Sequence, residues 1–564
     1  LKNLSFHPEK MARRGLAVAG GVILALAFPK FGVAGLAWVA PAILLASALG
    51  ADGKTAFRLG YLGGCVHHLI SLSWLLNIPV AKVFPIAAWL GLSGFISLYT
   101  GIWVWLAWKS FPVALHQPSQ AGGLSPVLDR FLGTTWAQRI VWTLSCAAAW
   151  VAWEMIQGRF LSGFPWNQLG ASQYRMLPVI QIASVTGVYG VSFLAVWFAI
   201  SLLAAVVVVT RQAEASRRWL KEVIAPFGVL TAVLWSGVNQ TLPHPPGPAP
   251  PAPLKIALIQ PSIPQQWIWA PSERERRFQQ LLAMSRQALA QHPDLMVWPE
   301  AAVPGFVRWE TNVSQPITQL VRGQSTWLIL GGDDTEPRSD PGHPDAADYY
   351  NSAYLLDPED GIRATYRKRR LVIFGEFLPF HQWLSFLERW TGMGSFTAGP
   401  GPVPFVLPPL HVKTSVLICF EDVFPHLTRE YVEDDTDFLL NLTNNGWFGE
   451  GAAQWQHAGM GVFRAVENGI PIVRCANNGL TCWVDAQGRL HDEFFPGTHD
   501  IYGVGVKHVE VPLLRGAKRS PTFYRKYGDV FGWSCVGWAG LSLARALRRN
   551  EGGKASQGTQ EVVA

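Results

Sequence analysis

The stretch Thr414-Ser-Val-Leu-Ile-Cys-Phe-Glu-Asp422 holds the chain's best candidate for covalent chemistry. Five residues of strong β character lead into Cys419, the pattern of a buried strand that delivers its last side chains to a site. A thiol there can act as a nucleophile, and in an extended chain Glu421, two residues on, points to the same side. The competing reading makes Cys419 a small core residue, since free cysteines are among the most buried side chains. Two further segments set a reactive group just past an apolar, strand-like run. Leu295-Met-Val-Trp-Pro-Glu300 ends on a carboxylate, and Tyr366-Arg-Lys-Arg-Arg-Leu-Val-Ile-Phe-Gly-Glu-Phe-Leu-Pro379 carries Lys368 and Glu376. Lys368 lies among Arg367, Arg369 and Arg370, and a basic run of this kind is usually a solvated face. The cysteines, at 65, 146, 419, 475, 482 and 535, make no C-x-x-C pair and no zinc spacing, so neither a metal site nor a disulfide framework is expected. Cys65, Cys146 and Cys535 lie in apolar runs and read as packing residues.

These groups need elements to hold them, and composition indicates two kinds. Of 564 residues 49% are hydrophobic and 15% charged, against roughly 25% charged in an ordinary soluble protein. Up to Gln240 there are 17 basic and 6 acidic residues, a net +11, while the remainder carries −4. The positive charge therefore belongs to the first part, where it reads as cytoplasmic loop charge and not as nucleic-acid binding. Apolar runs of spanning length occur near 12–28, 33–50, 57–77, 84–108, 138–157, 186–209 and 220–238, with an eighth near 529–547. Basic residues alternate between the loops, with Lys10, Arg13 and Arg14 before the first span and Arg211, Arg217, Arg218 and Lys221 before the seventh. This puts both termini in the cytoplasm and the residues after the seventh span on the far side. The chain begins at Leu1, so its N-terminus reads as incomplete or processed, and the first run reads as a retained anchor.

The expected domains are an N-terminal membrane domain over 1–240, a Pro-rich linker over 241–254, a catalytic α/β domain over 255–515, a C-terminal span over 527–549 and a polar, disordered tail over 550–564. The linker, with proline at almost every second position, favours extended polyproline geometry and a semi-rigid spacer. Beyond it strands alternate with helices: 255–260, 295–298, 326–330, 351–356, 415–419, 438–442, 470–475 and 480–484 read as strands. Ser272 and Glu275 have the spacing of a capping box ahead of a helix whose Phe278, Leu281, Leu282 and Leu289 share a face.

A carboxylate, a lysine and a cysteine in this order, each after a strand, resemble the Glu-Lys-Cys triad of the nitrilase superfamily. Y-x-K-x-x-L-V-x-F-G-E-F-x-P, I-C-F-E-D, Asn441-Leu-Thr-Asn-Asn-Gly-Trp-Phe-Gly449, Asn477-Asn-Gly479 and Phe164-Pro-Trp-Asn167 together resemble the apolipoprotein N-acyltransferase family, and so does the arrangement of seven spans, a nitrilase-like domain and a last span. The resemblance covers nearly the whole chain. It implies a helical membrane domain of about eight spans joined to an α/β domain of the αββα sandwich type. It also implies a triad of Glu300, Lys368 and Cys419, with Glu376 and Glu421 in support. Trp269 aligns with a family tryptophan near the substrate path, with Trp267 as the alternative register. Phe420 stands where family members often carry tyrosine, which removes a hydroxyl but leaves any backbone role intact. His381 and His457 are outside the triad and read as ordinary polar contacts.

In the chemistry this implies, Glu300 takes the Cys419 proton, the thiolate attacks a phospholipid ester, and Lys368 sits at the developing oxyanion, with a backbone N–H after Cys419 as a second donor. The resulting thioester passes its acyl chain to the α-amine of a lipid-modified cysteine, a ping-pong sequence. The implied partners are a phospholipid donor, phosphatidylethanolamine, and a diacylglyceryl apolipoprotein acceptor, with a monomer as the working unit. The implied setting is the inner membrane with the catalytic domain on the periplasmic side, and no cofactor is expected. Residues 386–401 mix glycines with apolar side chains and read either as a lid dipping into the bilayer or as a docked loop. Two rivals remain: a membrane-tethered nitrilase- or amidase-type hydrolase, and a transporter or receptor with a binding-only domain, for which Glu154 is the one candidate for a buried charge near mid-membrane.

Overall fold

The computed structural model describes residues 8–112, 125–211, 217–242, 252–268, 270–338, 347–379, 396–516 and 518–561. The Pro-rich stretch from 243 to 251, Trp269, His381 and residues 386–395 of the expected lid lie outside the described residues. The chain forms two compact units, Leu1–Leu75 with Ile86–Thr241 and Asp529–Ala564, and Leu76–Pro85 with Leu242–Gly528.

In the first unit helices occupy all eight apolar runs. Among the described residues four helices are long and apolar enough to cross a membrane: Val83–Lys109, Trp136–Gln157, Val188–Arg211 and Leu220–Thr241. The run expected over 33–50 is not one span. It breaks into a 3-10 turn, Ala34–Trp38, and a nine-residue helix, Ala40–Ala48, with Pro41 in the first turn, where its missing N–H costs nothing. Helices Pro8–Leu26 and Gly53–Ser71 approach through glycines, since a Cβ on Gly21 would lie 2.2 Å from the Gly63 carbonyl oxygen. Thr135 and Gln138 form a reciprocal capping box that starts Trp136–Gln157. Two buried indoles donate to backbone, Trp103 to the Cys146 carbonyl and Trp142 to the Ala107 carbonyl, both at 2.9 Å. Among the described residues three acids are buried here, Glu154, Glu222 and Asp529, the last paired with Arg159. Glu222 pairs with Arg139 at 2.7 Å, and Glu154 accepts hydrogen bonds of 2.8 Å from Trp150 Nε1 and the Leu169 N–H. The last helix runs from Val530 to Glu561, through residues expected to be disordered, with no proline to end it.

Among the described residues the second unit contains twelve strands: β1 (Leu254–Gln260), β2 (Leu295–Val297), β3 (Trp327–Pro337), β4 (Ala347–Asp357), β5 (Gly361–Arg367), β6 (Pro404–Leu407), β7 (Val412–Ile418), β8 (Phe438–Thr443), β9 (Ile472–Ala476), β10 (Cys482–Val484), β11 (Leu490–His491) and β12 (Gly505–Val511). They form two six-stranded sheets, ordered β12-β1-β2-β3-β4-β5 and β6-β7-β8-β9-β10-β11. The two sheets repeat one pattern. Three parallel strands, β1-β2-β3 or β7-β8-β9, are flanked by antiparallel strands on both sides. The sheets pack face to face, and Cys475 Sγ of the second reaches the carbonyls of Ile259 and Val297 of the first at 3.4 Å. Helices Arg274–Leu289 and Thr311–Val321 cover the first sheet with Phe278, Leu281, Leu282, Val313 and Ile317, and Ala452–Asn468 packs on β9. The unit is an αββα sandwich.

Every strand read from the sequence is present; β5, β6, β11 and β12 were not anticipated. The capping box at Ser272 does not form. Pro271–Glu273 is already a 3-10 turn running into the helix, so the N-cap is Glu273 in helical geometry without a side-chain cap, and Glu275 accepts from Gln279 instead.

Candidate active site

The site is built at the exits of parallel strands, where an α/β sheet presents side chains to a crevice. β2 ends at Val297 and the chain turns sharply, with Ala301 at φ 50°. Gly331 of β3 makes room for that turn, because a Cβ there would lie 2.4 Å from the Pro299 carbonyl oxygen and 2.8 Å from Glu300 Cα. β7 ends at Ile418 and passes directly into a 3-10 turn, Cys419–Val423, whose first residue has φ 53°. The nucleophile candidate thus occupies the left-handed region, which disfavours a residue with a Cβ by ~1–3 kcal/mol and recurs at functional sites. Asn441 Nδ2 on β8 holds the Cys419 carbonyl at 3.0 Å. Lys368 follows β5, with its N–H on the Asn351 carbonyl of β4 at 2.8 Å.

The side chains converge. Lys368 is 1% exposed, and its Nζ lies 2.7 Å from Glu376 Oε1 and 3.4 Å from Glu300 Oε1. Asn351 Nδ2 donates to Glu300 Oε1 at 2.9 Å and to Glu376 Oε1 at 3.0 Å. The outer oxygens are held by backbone: Glu300 Oε2 by the Asn444 N–H and Glu376 Oε2 by the Val372 N–H, both at 2.9 Å. Burial works against the Lys368 ammonium, but Glu376 and Glu300 overcome it and keep its pKa above the ordinary lysine value. The Cys419 thiol is pushed up to about 12, first by its enclosure and then by the charge of Glu300, against the opposing pull of Lys368. The thiol thus rests neutral, beside a Lys368 ammonium held between Glu376 and Glu300.

The basic run resolves by strand alternation. Arg367 takes the other face, pairs with Asp334 at 2.7 Å and with Glu336, and stacks 4.1 Å from the Tyr350 ring centre. Arg369 pairs with Glu430 at 2.9 Å, and Arg370 lies over Phe424. Only Lys368 turns into the sandwich.

Glu421 is not beside the thiol as the strand rule for i and i+2 predicts. The segment after Ile418 is a 3-10 turn, so period-two alternation has already ended. Glu421 turns into the protein, where it accepts the N–H groups of Ile418 (2.8 Å), Arg369 (2.8 Å) and Arg370 (3.0 Å) and the Tyr366 hydroxyl (2.8 Å). It ties the nucleophile turn to the main chain just after Lys368 and to the Tyr366 side chain just before it. Burial raises its pKa, and the backbone donors only partly offset this. Phe420 packs edge-on against Phe424 at 4.9 Å. Trp267 is half-buried beneath the Arg276 guanidinium at 4.8 Å. His457 is 2.6 Å from Asp422 and 3.2 Å from Asn445 Oδ1, and Asp422 also pairs with the buried Arg474. Burial would raise the Asp422 carboxyl, but His457 and Arg474 hold it below the ordinary value. The described end of the 386–401 stretch is docked, with Phe396, Thr397 and Gly399 donating to the carbonyls of Glu376, Tyr349 and Lys368 at 2.7–2.8 Å.

Sequence reasoning missed Asn351 and the Tyr366–Tyr431 hydroxyl pair, which meet at 2.6 Å above Glu421. A lone asparagine inside an apolar strand was the available signal for Asn351, since a buried amide needs a partner. Asn444 lay within a quoted motif but had no role assigned. Among the described residues no group of three or more His, Cys, Asp and Glu side chains is arranged to hold a metal ion.

Residues 255–498 match the carbon–nitrogen hydrolase family, and residues 20–201 match the apolipoprotein N-acyltransferase N-terminal domain. An apolipoprotein N-acyltransferase of Geobacter metallireducens is 35% identical over 95% of both chains. One of Vibrio parahaemolyticus is 29% identical, covering 97% of this chain and 98% of its own. A solved mutant of the Nesterenkonia AN1 amidase from the nitrilase superfamily aligns with 47% of this chain and 94% of its own, at a TM-score of 0.35 and 17% identity. With a relative above 30% identity spanning nearly the whole chain, and both halves matched to their own families, the protein belongs to the apolipoprotein N-acyltransferase family and is an acyltransferase.

Proposed function

We propose that this enzyme moves an acyl chain from a phospholipid, through a thioester on Cys419, to the α-amino group of the N-terminal diacylglyceryl-cysteine of apolipoproteins. The observation that carries the reading is the proton and charge arrangement around Cys419. A thiol with a pKa of about 12 has roughly one part in 10⁵ as thiolate at pH 7, a penalty of about 7 kcal/mol at 1.36 kcal/mol per unit. Nucleophilic attack therefore needs a proton acceptor at the moment of bond formation. Glu300 fills that role, with its carboxylate fixed by Asn351, Asn444 and Lys368. Lys368, fully charged and enclosed, stabilises the oxyanion that forms on the ester carbonyl. Glu300 then protonates the departing glycerol oxygen. In the second half the amine attacks the thioester, Glu300 receives its proton, and the Cys419 sulfur leaves. Glu376 holds Lys368, and Glu421 holds the segments that carry Lys368 and Cys419.

Membrane spans suit this chemistry for an energetic reason. Drawing a ~16-carbon chain from bilayer into water costs on the order of 12 kcal/mol. A site kept at the membrane surface avoids most of that in both half-reactions. Positive loop residues favour cytoplasmic termini and an outward-facing catalytic unit, on the periplasmic side of an inner membrane. Phosphatidylethanolamine is the proposed donor and a monomer the proposed unit.

The test uses membranes containing the enzyme and a phospholipid labelled in its acyl chain. Mass spectrometry should find the label on Cys419, released by a lipopeptide amine and stable to water. Rapid release without an acceptor would replace this reading with hydrolysis, and full function of Cys419→Ala in cells would remove the covalent mechanism.

A further inference from the structure

Asp333 and Asn351 are direct partners in the β3–β4 register, so their side chains share a sheet face. Gly331, two residues earlier on β3 and on the same face, is the residue against which the Glu300 backbone lies. Asp333 is thereby set beside Glu300. Its neighbour Asp334 takes the opposite face and pairs with Arg308 at 3.0 Å and Arg367 at 2.7 Å. Asp333 forms no ion pair and no side-chain hydrogen bond among the described residues, although it is only partly exposed. Enclosure, and then the charges of Glu300 and Glu376, raise its pKa to about 7.

Asn351 supplies a second, independent sign. Its amide nitrogen donates to two carboxylates, at 2.9 and 3.0 Å, and carboxylates accept only, so the amide's orientation is fixed. Its oxygen must then be an acceptor. Asn351 is 6% exposed, and Oδ1 is buried without a hydrogen-bond partner. A buried acceptor left unpaired costs ~1–3 kcal/mol, which a ligand N–H would recover. A carboxylate without a cation and an amide oxygen without a donor therefore sit on adjacent strands next to Glu300. Together they ask for a cationic N–H donor, and the acyl-donor half-reaction leaves both unused.

We propose that Asp333 and Asn351 Oδ1 dock the α-ammonium of the acceptor and that Asp333 takes its first proton. This rests on the acyl-transfer reading above. An α-amine has a pKa of ~7.7–8.0, so near neutrality it arrives mostly as a non-nucleophilic ammonium. One proton passes from nitrogen to the Asp333 carboxylate. The freed lone pair forms the C–N bond at the thioester carbonyl, and a second N–H proton goes to Glu300. The C–S bond breaks, the Cys419 sulfur takes that proton from Glu300, and Asp333 returns its own to water. One N–H remains on the amide, and the balance is one thiol, one amide and one released proton.

The test is full-length Asp333→Asn in membranes, loaded from labelled phospholipid and then discharged either by a lipopeptide amine or by hydroxylamine, a nucleophile already unprotonated near neutrality. Thioester formation should stay within about threefold of wild type. Discharge by the lipopeptide at pH 7 should fall about tenfold, because an amine with a pKa of ~7.7–8.0 is then only roughly a tenth free base, and it should recover as pH passes that pKa. Discharge by hydroxylamine should be unchanged, and Asp333→Glu should restore part of the lipopeptide rate. Wild-type lipopeptide discharge with a wild-type pH profile would overturn the proposal. So would equal losses with both nucleophiles, or loss of thioester formation. A wild-type enzyme that forms no thioester at all would overturn the underlying acyl-transfer reading instead.

Discussion

Glu300→Gln isolates the proton transfer on which the mechanism depends. The substitution keeps the shape of the side chain, and one amide oxygen can still accept from the Asn444 N–H, which meets Glu300 Oε2 at 2.9 Å in the native enzyme. It removes the carboxylate proposed to receive the Cys419 proton. It also removes the negative charge that helps raise the thiol to about 12, while Lys368 keeps Glu376 at 2.7 Å. Suppose losing that charge lowers the thiol by roughly one to two units. The thiolate fraction at pH 7 is then ~10⁻⁴ to 10⁻³, and acylation by a thiolate formed in advance falls by about the inverse, near the upper end of what general bases contribute. A further signature separates this from damage: the variant's rate should rise about tenfold per pH unit from 7 to 9, because thiolate concentration now limits it. The wild type, with its internal base, should lack that slope. The assay is single-turnover acylation from labelled phospholipid, quenched in acid and read as intact mass on Cys419. Less than a tenfold loss with no added pH slope would show that Glu300 is not the base.

Lys368→Ala should abolish thioester formation, whereas Arg367→Ala, which removes partly exposed ion pairs with Asp334 and Glu336, should leave most of it; quench-flow acylation of the pair measures this. Arg474→Met leaves the buried Asp422 with His457 as its one remaining ion-pair partner, a loss of up to about 3–5 kcal/mol that should lower Tm by up to roughly 15 °C in detergent. The Asp422 pKa is depressed below its ordinary 3.8, so its contribution is fully present above that pH and is lost as pH falls through the folded value; Asp422→Asn should flatten the acid limb of Tm against pH below about 4. Tyr366→Phe removes one of the donors to Glu421 and should cost about 1–2 kcal/mol while sparing thioester formation, because three backbone N–H groups still hold that carboxylate.

The sandwich and its site were readable where local pattern and tertiary context agree. β7 and β8 are buried on both faces and read as continuous apolar runs, so the strands before Cys419 and around Asn441 were visible. β5 (GIRATYR) and β12 (GVKHVEV) carry charged residues on partly exposed edges of their sheets, so their signal is diluted. Lys368 could be separated from its arginine neighbours only by family register, because its distinction is tertiary: β5 alternation sends Arg367 to one face and the next residue to the other. The i, i+2 placement of Glu421 does not hold for a local reason: β7 ends at Ile418, and Glu421 lies three residues beyond it in a 3-10 turn. Asp333 and Asn351 are polar positions on two strands, β3 and β4, that pair across 18 residues of sequence, and nothing in the one-dimensional pattern says which carboxylates they meet.

The strand exits share a backbone feature that bears on both stability and rate. Ser262 after β1, Ala301 after β2 and Cys419 after β7 have φ of 48°, 50° and 53°. Each turns the chain abruptly off the sheet end, and each bears a Cβ in the region where an L-residue is disfavoured by roughly 1–2 kcal/mol. At Cys419 the residue type is dictated by chemistry. At Ala301 it is not, and glycine would relieve the backbone at a chain-entropy cost of about 0.5–1 kcal/mol. Ala301→Gly should therefore leave folding stability unchanged or raise it by up to about 1 kcal/mol. The same change loosens the turn that fixes Glu300 relative to Asn351 and Asn444, and misplacing a reacting group by about 1 Å can cost a hundredfold. The expected pattern is a Tm that does not fall, together with thioester formation slowed by roughly tenfold or more. A lower Tm with an unchanged rate would mean that the left-handed turn at Ala301 stabilises the fold and does no work in holding the base.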